Sequence, residues 1–260
     1  MNRFYYLLEL QYLGFRYHGW QKQPDVKTIQ FMLDRTLNTV LKSEQFKSMG
    51  ASRTDSMVSA NHHFSQLALP HQISSEEFIK ELNLTLPQDI KALNIKEIDK
   101  SFNVLGSKKK KEYHYYFSCG EKSHPFCAPF MTNFLQQLDI ELMQKGARLF
   151  EGKHNFIQYC FRGNENKVYN RTIIESLIEE NRVLTASFFP ETTYLFKVKG
   201  EGFMRNQIRI MAGTLFSLGQ HDITLKQIED SLKSDNTEKK LLGFIAPASG
   251  LTLYKSEFSE

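Results

Sequence analysis

The sequence predicts an α+β fold with a largely antiparallel sheet. Segments with alternating apolar residues interleave with segments of helical spacing. Several successive strand candidates, at 171–179, 183–189 and 193–199, leave no room between them for a crossover helix. A doubly wound parallel sheet needs one at every strand pair, so an antiparallel arrangement fits better. The 260 residues are 41% hydrophobic and 24% charged, which suffices for a substantial core.

The elements follow in order. RFYYLLELQY, residues 3–12, mixes aromatic and aliphatic residues with partial alternation and predicts a strand. Gly14, Gly19 and Pro24 bracket a loop. Thr28 then precedes Ile29, Leu33, Leu37, Val40 and Leu41, a helical spacing with Thr28 as N-cap. Phe46–Gly50 reads as a short strand and 62–69 as the next. Ser74 with Glu77 has the spacing of a capping box before a helix over Glu76–Asn83, and 90–98 reads as a strand. Ser101–Lys111, with Gly106, Ser107 and four lysines, marks the predicted boundary between an N-terminal domain, 1–106, and a C-terminal domain, 107–260. EYHYYFS opens the second domain as a strand. Residues 139–150 have helical spacing through Ile140, Met143, Ala147 and Phe150. The three strand candidates named above come next. Phe203–Leu218 predicts a helix with Ile208, Met211, Ala212 and Leu215 on one face, and Thr224 caps another to about Leu232. LTLYKSEF is a final alternating strand.

Composition narrows the function classes. A formal charge of +4 permits a polyanionic partner without requiring one. Cys119, Cys127 and Cys160 are odd in number and form no CxxC, which predicts reduced thiols in a cytoplasmic protein and neither a disulfide frame nor a zinc site. The N-terminus lacks the pattern of a signal peptide, and no run of about 18 apolar residues predicts a membrane span.

Four stretches carry chemistry. GASRTDSMVSANHH, 50–63, holds Asp55 in a short polar loop two residues after Arg53. A carboxylate there serves as nucleophile, general base or metal ligand, or else caps a turn or pairs with Arg53. His62, His63 and His71 lie nearby in sequence, but no HExxH-like frame organises them into a metal site. KKKKEYHYY, 108–116, sets Lys109 and Lys110 beside Tyr113, Tyr115 and Tyr116. Such a mix of phosphate-neutralising and stacking groups suits single-stranded nucleic acid, and equally suits a solvated link leading into a core strand. GFMRNQIRIMAG, 202–213, spaces Arg205 and Arg209 four apart, as on one helix face; Arg209, between Ile208 and Ile210, is the better candidate for a partly buried anion partner. FRYHGWQKQP, 15–24, gathers Arg16, His18, Trp20 and Lys22 in a basic and aromatic loop that either meets RNA or packs the sheet end.

Together these stretches resemble the tRNA pseudouridine synthases of the A type, which act on the anticodon arm, and the resemblance runs nearly end to end. YLGFRYHGWQKQP is similar to the family's opening Y-x-G-x-x-Y-x-G-W-Q segment, and KTIQFMLDRTL to its T-V-Q-x-x-L-E-x-A-L helix. SRTDSMVSA resembles G-R-T-D-x-G-V-H-A, which puts Asp55 on the catalytic Asp. KEYHYYFS resembles K-x-Y-x-Y, which puts Tyr113 on the active-site Tyr. GKHNFIQY, GFMRNQIRIMAGTL and APASGLTLYKSEF resemble G-x-H-D-F, F-L-x-x-x-V-R-x-x-x-G and A-P-x-x-G-L-x-L. The chain departs from the pattern in the Asp loop, where Ser52 and Met57 replace glycines and Ser59 replaces the His.

The resemblance implies a pseudouridine synthase fold, two similar α+β halves forming a central mixed, mostly antiparallel sheet flanked by helices, with the active cleft between the halves. It implies conversion of uridine to pseudouridine in tRNA by a homodimer. The reaction changes no oxidation state and transfers no group, so no cofactor or metal is expected. Asp55 is then the nucleophile, attacking the ribose or the uracil ring; Arg209 keeps it ionised, and Tyr113 stacks on the flipped base. Arg53, Arg16, His18, Trp20, Lys22, Lys109, Lys110 and Arg205 are the expected RNA contacts. The altered Asp loop motivates one alternative, a non-catalytic RNA-binding paralogue of the same fold. A metal-dependent phosphoesterase using Asp55 with His62 and His63 is a third class.

Overall fold

The computed structural model describes residues 3–160, 169–238 and 240–258. The chain forms two compact α+β units, one from Met1–Lys108 with Leu253–Glu260 and the other from Lys109–Thr252. The final strand therefore groups with the first unit, an assignment that the 107–260 expectation lacked.

In the first unit, β1 (Phe4–Tyr12) pairs antiparallel with a long strand, Ser59–Leu69, and on its other edge with Ile90–Glu97. A short strand, β2 (Lys47–Gly50), pairs antiparallel with the outer end of β3 (Ser59–Leu69). β4 is Ile90–Glu97. Helix α1 (Ile29–Leu41) buries Ile29, Leu33, Thr36, Leu37 and Leu41, the expected face, and Thr28 caps it by accepting the Phe31 N–H at 3.3 Å. α2 (Ser75–Thr85) starts after Ser74, but the Ser74 side chain makes no cap hydrogen bond, so the expected capping box is not formed. Leu7, Ala51, Phe64 and Val104 form a core cluster on which Ile98, Phe102 and Phe258 pack.

In the second unit, β5 (Lys109–Cys119) starts inside the lysine run rather than after it. A short strand, β6 (Thr132–Phe134), lies parallel to it. After α3 (Ile140–Arg148) come β7 (Gly152–Asn155), β8 (Asn170–Glu180) and β9 (Tyr194–Gly200). β5, β9, β8 and β7 pair in that order, all antiparallel, so the strand set is mixed and mostly antiparallel. The strand expected at 183–189 does not form. Asn181 Oδ1 accepts the Val183 and Leu184 N–H groups, and Phe188 and Phe189 turn onto the cluster of Tyr116, Cys127, Met131 and Leu195. α4 (Gln207–Gly219) and α5 (Leu225–Ser231) follow; Thr224 and Gln227 build a capping box at the start of α5. The chain ends in β10 (Leu251–Phe258). No helix among the described residues is long and apolar enough to cross a membrane.

Candidate active site

Asp55 opens a tight turn between β2 and β3. The Val58 N–H donates to the Asp55 carbonyl at 3.2 Å, and Met57, third in the turn, has φ +67°. That is the position where a turn with a left-handed residue prefers glycine. Here a methionine occupies it, at a strain of about 1–2 kcal/mol. The turn is pinned from both sides. Before Asp55, Thr54 shares a hydrogen bond with the Tyr12 hydroxyl at 2.9 Å, and its carbonyl accepts the Trp20 N–H at 3.1 Å. After it, the Met57 N–H donates to the Tyr17 carbonyl at 2.9 Å, and Ser59 Oγ accepts the Gly14 N–H at 2.9 Å. Gly19, at φ +84°, allows the close approach: a Cβ there would stand 2.6 Å from the Thr54 carbonyl oxygen. The result is a half-buried Asp55 in a turn held by two backbone and two side-chain hydrogen bonds, next to an exposed Arg53.

The basic loop packs on this turn, and its residues divide in a way the sequence did not disclose. Arg16 clasps Asp89 through both Nε and Nη2, which raises its pKa. Asp89 also accepts from the Tyr17 hydroxyl at 2.7 Å; burial, reinforced by that bond, pushes Tyr17 up to about 12. Lys22 pairs with Asp34, and His18 is exposed. Trp20 is 2% exposed and stacks on His63 with ring centroids 4.0 Å apart. The expectation that Trp20 meets RNA is corrected: the ring is spent inside the unit.

The histidine pair bears only on the phosphoesterase alternative. Adjacent strand residues point to opposite faces. His62 donates to Glu9 at 3.0 Å, while the fully buried His63 donates from Nε2 to the Ser52 carbonyl at 3.0 Å. They cannot chelate one ion together, and among the described residues no group of three or more His, Cys, Asp or Glu is placed to hold a metal.

In the second unit, β5 alternates. Lys109, Lys111, Tyr113, Tyr115 and Phe117 share one face. Lys109 is only 8% exposed as a residue, so the expected phosphate contact from Lys109 is corrected to a side chain packed mostly inside the unit, whereas Lys110 is exposed. Burial, then the neighbouring Lys109 charge, lowers the Lys111 pKa to about 8. Tyr113 is largely buried and meets Phe203 edge to face. α4 covers this face through Phe216, which contacts Tyr115 and Phe117.

Arg209 sits in the first turn of α4. A cation there opposes the helix dipole, so its placement needs another reason. Its Nε donates to the Ala246 carbonyl at 2.7 Å and its Nη1 to Asn206 Oδ1 at 3.3 Å. The Ala246 N–H returns a bond to the Arg209 carbonyl, and Tyr115 donates its hydroxyl to the Pro247 carbonyl at 2.8 Å. The A-P segment is thus the brace of the arginine. Arg205 does not share the helix face: Asn206 is left-handed, at φ +60°, and α4 begins only at Gln207, leaving Arg205 exposed before it. Two residues escaped sequence reasoning. Asn206 carried only the weak signal of an Asn before a helix, and Phe203, though it opens the F-L-x-x-x-V-R-like stretch, gave no sign of its contact with Tyr113.

Comparison with known proteins gives the family. The family profile described as tRNA pseudouridine synthase matches residues 147–259. The chain is 33% identical to tRNA pseudouridine synthase A of Phytoplasma mali (strain AT) over 98% of this chain and 99% of the relative. It is 34% identical to that of Thermosipho africanus (strain TCF52B), over 99% and 100%, and 31% identical to that of Ligilactobacillus salivarius (strain UCC118), over 96% and 95%. Fold and motif order define an RNA-modifying isomerase of the pseudouridine synthase class. Within that class, the chain belongs to the tRNA pseudouridine synthase family.

Proposed function

We propose that this chain isomerises uridine to pseudouridine in the anticodon stem-loop of tRNA, as a cytoplasmic homodimer, with Asp55 as nucleophile. The observation that carries the reading is the pinned Asp55 turn: two backbone and two side-chain hydrogen bonds on the residues around it hold a half-buried carboxylate next to an exposed arginine. A carboxylate fixed in this way loses little entropy on reaching a reactive geometry. The bond from uracil N1 to C1′ of the ribose breaks, and the base turns. A bond from C5 to C1′ forms, C5 loses its proton and N1 gains one, so the product is an isomer. Arg209 supplies the charge that keeps Asp55 ionised, and Tyr113 stacks on the extruded base. Arg53, Arg16, His18, Lys22, Lys110 and Arg205 are the RNA contacts in this reading. Arg16 and Lys22 already hold carboxylates, so phosphate contact has to compete with Asp89 and Asp34.

Tritium release from tRNA transcripts carrying 5-labelled uridine tests the activity. Wild-type protein releases tritium, and Asp55→Asn binds tRNA with unchanged affinity but releases none. An active Asp55→Asn variant removes the nucleophile assignment. Binding without turnover by the wild type supports the second reading, an RNA-binding paralogue, which the strained Met57 in the Asp turn motivates.

A further inference from the structure

We propose that Phe203 is a positioning residue for the isomerisation, its ring setting the tilt at which Tyr113 meets the extruded uracil. This rests on the stacking role given to Tyr113 above. The Tyr113 and Phe203 ring centroids are 5.2 Å apart and their planes cross at 86°. A perpendicular pair of this kind is favoured by the ring quadrupoles and resists rotation of either partner.

The seat for Phe203 is built into the sheet. Along β5 and β9, Lys111 lies opposite Gly200 and Tyr113 opposite Val198. Gly200 therefore leaves a gap one same-face position along from Tyr113. A Cβ there would stand 3.0 Å from Phe203 Cζ and 3.0 Å from the Thr172 carbonyl oxygen. Any side chain at position 200 would push the Phe203 ring off its place. The backbone carrying Phe203 is fixed from the other side. Gln207, 1% exposed, accepts the Met204 N–H on its side-chain oxygen at 2.9 Å and donates its own N–H to the Met204 carbonyl at 3.1 Å. The same connection holds Asn206, which supports Arg209. One six-residue link, 201–206, thus orients both the aromatic ring and the guanidinium.

A stacked ring whose tilt is set by a neighbour gives its benefit in the chemical step, once the base is extruded, rather than in tRNA capture. Phe203→Leu keeps apolar bulk but removes the flat partner. It is expected to lower the single-turnover rate about tenfold while leaving the KM for tRNA within about twofold of wild type. Phe203→Tyr restores most of the rate. Gly200→Ala, which retains the phenyl ring but displaces it, reproduces the loss. The deciding measurement is a double-mutant cycle: in a Tyr113→Ala background, Phe203→Leu adds no further loss, because its effect passes through Tyr113. An equal loss in both backgrounds, or a fully active Phe203→Leu, overturns the proposal while leaving Tyr113 in its role. A fully active Tyr113→Ala overturns the stacking role itself, and the proposal with it.

Discussion

Ser59 Oγ accepts the Gly14 N–H at 2.9 Å, and both residues are buried. This bond joins the strand that leaves the Asp55 turn to the glycine loop beside it. The sequence departs from the family's His at this position, and the serine has a definite task here. Ser59→Ala leaves a buried N–H without its acceptor and is expected to cost about 1–3 kcal/mol. Urea unfolding reads the loss. The rate of tritium release is expected to fall with it, since one of the four hydrogen bonds that pin the Asp55 turn is gone.

Met57 makes a second test of the same turn. Its φ of +67° suits glycine and is worst for β-branched residues. Met57→Ile is expected to destabilise the protein by about 2 kcal/mol more than Met57→Gly does. Equal melting temperatures for the two variants would show that the turn relaxes freely and does not constrain Asp55.

Asn206 separates backbone strain from contact. Its left-handed conformation suits Asn and Gly but not Ala, while its Oδ1 accepts from Arg209. Asn206→Ala and Asn206→Gly both lose that bond, so both lower kcat. Only the Ala variant also pays about 1 kcal/mol of backbone strain in thermal unfolding. A Gly variant with wild-type kcat would remove Asn206 as a support of Arg209.

Lys111 gives a pH signature. Its folded pKa is lowered to about 8 by burial and by Lys109, below the ordinary lysine value of about 10.4. Between those two values the unfolded chain binds the proton that the folded chain has lost, so stability rises with pH across that window. Below about pH 8 the full penalty for the charged amine is present. Lys111→Met is therefore expected to stabilise the protein at pH 7, by on the order of 2 kcal/mol, and to lose that advantage toward pH 10. Melting temperatures at the two pH values read it; a pH-independent gain points to packing alone.

The local parts of the fold were legible because their causes are local. Thr28 with its apolar i, i+4 series made α1, and Thr224 with Gln227 made the capped start of α5. The motif loops were legible as a set of short patterns in order. What stayed hidden depends on partners far away in sequence. Trp20 reads as an RNA-stacking residue until His63 is found against it, 43 positions later. Lys109 reads as solvated until its strand is found to begin three residues before the expected start at Glu112. Aromatic 183–189 reads as a strand, yet its rings are drawn to Cys127 and Met131, and Asn181 ends the ladder. Phe203 opens a motif stretch, but its contact stayed hidden, because it has meaning only beside Gly200 and Tyr113.

Residues 253–258 complete the first unit: Asn61 Nδ2 donates to the Tyr254 carbonyl at 3.3 Å, and Phe258 meets Phe64 and Phe102. During translation the ribosome must therefore deliver every residue of the other unit before this piece emerges. The unit carrying Asp55 is begun first and finished last, so a nascent chain stalled before residue 253 holds every residue of the Arg209 unit and an unfinished Asp55 unit.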